Sequence, residues 1–100
     1  MAPLVSFVVP CFNYGQYLAD CLGSIFCQAD QHDFEMIVID DGSTDNTQEV
    51  LHSFADPRLH IITHPVNLGH VATINEGISE AHGNFIARID PDDRYRPYFL

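Results

Sequence analysis

The sequence predicts an α/β fold, a parallel sheet of order β-α-β-α-β-α-β with helices on both faces. Three observations carry this expectation. Short, nearly continuous apolar runs, LVSFVVP at 4–10 and FEMIVID at 34–40, suit strands covered on both sides. The stretches between the strands repeat apolar residues at three- and four-residue spacing, the period of an amphipathic helix. Polar clusters rich in turn formers follow three of the strands: PCFN after the first, DDGSTD after the second and DPDD after the fourth. In a parallel sheet such clusters share the carboxyl edge, where ligands bind.

Each element has its own signal. Pro10 is expected to stop the first strand. Leu18, Cys21, Leu22, Ile25 and Phe26 mark the first helix, over 16–28. After the second strand, Asp45 and Gln48 at three-residue spacing predict a capping box, and Val50, Leu51 and Phe54 form the face of a short helix that Pro57 ends. RLHIIT, 58–63, alternates more and predicts a strand near the sheet edge. Val71, Ile74, Ile78 and Ala81 predict the buried face of a third helix, with Gly83 as its C′ residue. NFIARI, 84–89, is the fourth strand.

Composition narrows the function. One hundred residues with 46% apolar content make one small domain with a real core. Fourteen acidic residues stand against four arginines and no lysine, giving a formal net charge of −10. That balance excludes nucleic acid as a partner and disfavours docking to anionic lipid. No run reaches the roughly 18 apolar residues of a membrane span, and no basic region precedes the first apolar run, so a cytoplasmic location is expected, at most on the cytosolic face of a membrane. Cys11, Cys21 and Cys27 lack metal or disulfide spacing; Cys21 is expected in the core. The six histidines form no H-x-x-x-H pair and are expected at the surface or satisfied.

The loop RIDPDDRY gathers Asp90, Asp92 and Asp93 at the end of a strand. Asp90 and Asp92, one residue apart, can approach one divalent cation, and hard oxygen ligands select Mg²⁺ or Mn²⁺. A cation there relieves the repulsion and draws an anionic diphosphate to an acidic protein. The blander alternative is a solvated turn paired with Arg94 or Arg96. Asp41, at the end of the second strand, can accept a ligand N–H or ribose hydroxyl, or merely satisfy backbone N–H groups of its turn. No G-x-G-x-x-G follows the first strand, and the lack of lysine rules out both a Walker P-loop and a phosphoacceptor receiver site.

The blocks VSFVVPCFNYGQYLADCLGSIFCQ, FEMIVIDDGSTDNT and VNLGHVATINEGISEAHGNFIARIDPDD resemble, in order and spacing, the opening half of the family 2 glycosyltransferases. The resemblance implies the nucleotide-binding half of a GT-A fold. It also implies metal-dependent transfer of a sugar from a nucleotide-sugar, usually UDP-linked, with inversion. Carried onto this chain, Pro10 and the segment to Asn13 would border the base, and Asp41 would accept a hydrogen bond from the uracil ring. Asp90 would sit by the ribose and diphosphate, Asp92 would ligate the metal, and Asp93 would support the loop. Thr73-Ile74-Asn75 departs from the Ala-Arg-Asn run common in the family, so a basic contact is missing there.

The resemblance also implies that residues 1–100 are a single truncated nucleotide-binding domain, with the catalytic base expected beyond Leu100. The acceptor, whether saccharide, lipid or protein, is left open. The alternative function is a non-catalytic nucleotide-binding or interaction module. An uncovered NFIARI strand predicts self-association, for which a homodimer is the commonest closed solution.

Overall fold

The strand β1 (Val5–Cys11) sits inside the sheet, and its residues from Ser6 onward are buried on both faces. In the computed structural model, which describes residues 5–26, 34–54 and 56–89, it pairs in parallel with β2 (Phe34–Asp41) on one side and β4 (Phe85–Arg88) on the other. β3 (Leu59–His64) lies beyond β2, so the order is β3-β2-β1-β4, all parallel. The helices α1 (Gly15–Phe26), α2 (Thr47–His52) and α3 (His70–Glu80) alternate with the strands as expected. β3 is indeed an edge strand, as its alternation implied.

Two layers flank the sheet. Phe7, Val9 and Cys11 of β1 and Phe34, Met36 and Val38 of β2 meet Leu18, Cys21 and Leu22 of α1 and Leu51 of α2. Phe7 and Phe34 pack edge to face at 5.6 Å, and the Arg58 guanidinium lies 4.6 Å from the Phe34 ring centroid. The opposite face is thinner: Val8, Ile37 and Ile39 form its fully buried set. α3 approaches this face through Gly77, where an added Cβ would lie 2.4 Å from Val8 Cγ1 and 2.8 Å from Ile39 Cδ1.

Several local expectations are corrected. β1 does not stop at Pro10 but continues to Cys11. The Ile89 N–H donates to the Val8 carbonyl, so the even positions of β1 direct their main-chain groups toward β4. Pro10 is the next even position, where the described β4 has already ended, so its missing N–H removes no bond to β2. The buried residues of α3 are Thr73 and Gly77, whereas Val71 and Ile78 are 72% and 45% exposed. Close approach of the helix axis selected the small residues. Gly83 is not a left-handed C′ residue: Ala81 ends α3 in an extended conformation, and Gly83 instead lets the chain pass β1, its absent Cβ falling 2.7 Å from the Ser6 nitrogen. Cys27 and the acidic loop from Asp90 to Asp93, with Arg94 and Arg96, lie outside the described residues.

Candidate functional site

The carboxyl ends of β1 and β2 are clasped by side-chain-to-backbone bonds. Asn13, just past β1, has a left-handed φ of 58°, which asparagine tolerates better than most residues. Its N–H donates to Ser43 Oγ at 2.9 Å, and its Oδ1 accepts from the Thr44 N–H at 2.8 Å. PCFN and DDGSTD therefore meet, as expected of clusters that share an edge. Phe12 and Tyr14, on either side of Asn13, and Tyr17 are 42%, 37% and 47% exposed, leaving aromatic faces next to this clasp.

The two aspartates that end β2 have different partners. Asp40 caps the turn, accepting from the Ser43 N–H at 2.9 Å on Oδ1 and from the Gln48 amide on Oδ2. Gln48 also donates to Thr63 Oγ1 at 3.1 Å, so it ties α2 to β3 and forms no capping box with Asp45. Asp45 accepts from the Thr47 N–H and, at 3.0 Å, from the Gly15 N–H, which joins the starts of α2 and α1.

Asp41 faces the α3 side and is 4% exposed. Oδ1 accepts from the Leu68 N–H at 2.7 Å and lies 2.8 Å from His64 Nδ1; Oδ2 accepts from the Gly69 N–H at 3.0 Å. The loop that carries these donors packs against Gly42, whose φ is +79° and whose absent Cβ would lie 2.7 Å from the Asn67 nitrogen. Only glycine meets both conditions. Burial alone would raise the Asp41 pKa, but the Leu68 N–H, His64, the Gly69 N–H and Thr73 outweigh it and hold the carboxyl below its usual range.

His64, 7% exposed, reaches Glu76 of α3 through its other ring nitrogen. A ring that donates to two carboxylates needs both N–H groups, which is the imidazolium form. Asp41 and Glu76 accordingly raise its pKa against the opposing effect of burial. Nothing in the sequence spacing marked His64. The one available signal was the alternation of LHIITH, which sets His60, Ile62 and His64 opposite Leu59 and Ile61.

Pro10 is buried in β1 opposite Ile39, directly before this edge. Cys11 is buried on the α1 face, and burial pushes its thiol up to about 11, so it is an inert packing residue. Among the described residues, no group of three or more His, Cys, Asp and Glu is arranged to hold a metal. Asp90 and Asp92, expected to do so, follow β4 and lie outside the described residues.

Comparison with known proteins adds the family. The pattern of glycosyl transferase family 2 matches residues 6–100. The chain belongs to this family. It is 43% identical over 96 residues to glycosyltransferase GlyG of Streptococcus pneumoniae, covering 93% of this chain and 31% of that protein. The structure of S. aureus TarS 1–349 in complex with UDP-GlcNAc superposes with a TM-score of 0.85 at 28% identity, covering 94% of this chain and 28% of that one. A mannosyltransferase of Pyrobaculum calidifontis, in complex with GDP-Man and Mn²⁺, shares the fold with a TM-score of 0.82 at 24% identity, over 95% of this chain and 29% of that one. The chain spans 27% to 38% of the length of the first four curated relatives. The expected GT-A nucleotide-binding fold is therefore present. No helix among the described residues is long and apolar enough to cross a membrane.

Proposed function

We propose that this chain binds the nucleotide of a nucleotide-sugar at the carboxyl edge of its sheet, as the donor-binding part of an inverting, metal-dependent glycosyltransferase. The observation that carries the proposal is the clasp of Asn13 with Ser43 and Thr44 beside the charged, buried Asp41, at the edge where parallel sheets bind ligands. Pro10 and Asn13 border the base, and Asp41 accepts its ring N–H. A carboxylate offers about four lone-pair directions. Protein donors already engage Asp41, so the base shares the carboxylate with the Leu68 and Gly69 N–H groups or displaces one of them.

Asp90 and Asp92 supply hard oxygen donors suited to Mg²⁺ or Mn²⁺, with Asp90 also beside the ribose and diphosphate. When bound, the metal acts as a Lewis acid on the departing diphosphate. The residues of this chain hold and orient the donor. The binding of UDP-GlcNAc by TarS favours uridine as the nucleoside.

Calorimetric titration of the chain with UDP, in Mn²⁺ and then in EDTA, is the test. Binding in Mn²⁺ that weakens in EDTA is expected. Equal affinity in both removes the metal role of Asp90 and Asp92, and no binding in either removes the nucleotide site.

A second reading, a non-catalytic interaction module, has one observation in its favour. Among the described residues β4 pairs only with β1, and its Phe85 and Ile86 are 65% and 46% exposed. Self-association through this edge to a homodimer would appear in light scattering as a mass that rises with concentration.

A further inference from the structure

We propose that the amino end of the α3 face holds a docking pocket for a lysine side chain of a basic partner protein. The pocket measures about 110 Å³ and is lined by Glu35 and Ile37 of β2, His60 and Ile62 of β3, Glu80 at the end of α3, and His82 just after it. Ile37 pairs with His60 at this end of the sheet, whereas Asp41 pairs with His64 at the nucleotide edge, so the two sites are separate. Small-molecule sites run from about 300 Å³ upward, and the smaller volume here suits one side chain rather than a nucleotide or a sugar.

The charge of the pocket selects a cation. Burial would raise the pKa of Glu35, but the Ser6 hydroxyl and the His82 N–H outweigh it and keep the carboxyl ionised. Oε2 accepts both of those bonds, at 2.6 and 2.5 Å. Oε1 lies 3.2 Å from His82 Nδ1 and 3.8 Å from His60 Nε2, the second beyond hydrogen-bond reach, so it retains acceptor capacity. Glu80 is exposed and adds a second carboxylate. The helix α3 also ends here, and no basic residue in its last turn offsets the negative end of its dipole. Ile37 and Ile62 offer apolar walls to an alkyl stem. One free acceptor suits the compact ammonium of lysine, while the arginine fork matches two oxygens and Oε2 is taken. The chain has no lysine, so a second copy cannot supply the side chain, and its net charge of −10 draws a partner of opposite sign.

The test is an NMR shift titration of the chain at pH 8 with a capped Gly-Lys-Gly peptide. The same peptide carrying arginine or uncharged norleucine, and butylammonium alone, are titrated beside it. The lysine peptide should perturb the amides of Ile37, Ile62 and His82, arginine should bind more weakly, and norleucine should not bind. Glu35→Gln should weaken the lysine peptide about tenfold or more, the worth of one hydrogen bond to a charged group. Glu80→Gln, at an exposed position that leaves the fold intact, should weaken it about two- to fivefold, the range of an exposed ion pair. Equal binding of norleucine, shifts confined to other regions, or full affinity in both variants overturns the site. Binding of butylammonium without the lysine peptide overturns a partner protein as its occupant.

Discussion

The two faces of the sheet are built on different principles. On the α1 and α2 side, eleven buried apolar residues from four elements and the loop after β4 form one continuous cluster. On the α3 side, three buried aliphatic residues share the face with buried Glu35, Asp41 and His64. Glu35 lies at the amino end, held by the Ser6 hydroxyl at 2.6 Å and by the His82 N–H, and burial is outweighed there so that its pKa falls. Asp41 lies at the carboxyl end within the His64–Glu76 chain. Apolar burial stabilises without direction, whereas carboxylates need donors in defined places. The first face therefore supplies stability, and the second fixes where loops and α3 stand relative to the site edge.

Phe7→Ala sharpens this contrast most. It opens a cavity in the larger cluster and should cost about 3–5 kcal/mol in urea unfolding. If it costs no more than substitutions on the α3 face, the division between the faces is wrong. Asp41→Asn should weaken uridine binding by roughly 1.5–3 kcal/mol, the range for hydrogen bonds to charged groups, with the fold retained. The turn after β2 is capped by Asp40, not Asp41, which is why the fold should survive. Wild-type uridine affinity in this variant would reduce Asp41 to a loop anchor. Gly77→Ala places a methyl group against Val8 and Ile39 and should destabilise by about 1–3 kcal/mol, even though alanine is the better helix former by about 1 kcal/mol. An increase in thermal stability would show that α3 can retreat from the sheet.

The smallest effect is in the pH profile. The folded pKa of His64 is raised above 6.5, so its contribution is complete below that pH and is lost as pH rises through the folded value. Asp41 is depressed below 3.8, so its contribution is present above that pH and is lost as pH falls through the folded value. The network is strongest between these two limits. His64→Gln should flatten the alkaline limb of a melting-temperature profile. The acid limb should remain, because Glu35, Asp45 and Asp56 are also depressed, Asp56 to about 2 beside Arg58. An unchanged alkaline limb would mean that His64 is neutral between its two carboxylates.

The periodicity of the chain by itself determined the seven elements, the edge position of β3, the burial of Cys21 and the shared edge of PCFN and DDGSTD. Each of these follows from the local spacing of apolar and turn-forming residues, which the chain carries wherever it folds. Tertiary structure alone decided that Thr73 and Gly77, rather than Val71 and Ile78, face the sheet, because the approach distance of α3 depends on Val8 and Ile39 in other elements. It also turned Gln48 from a helix cap to a bridge between Asp40 and Thr63, and it joined Asp41 to His64 across 23 positions and Glu35 to His82 across 47. A buried carboxylate must find donors, but nothing in its neighbours along the chain says which ones. That choice is made only when distant strands, loops and helices are brought together and water is excluded from between them.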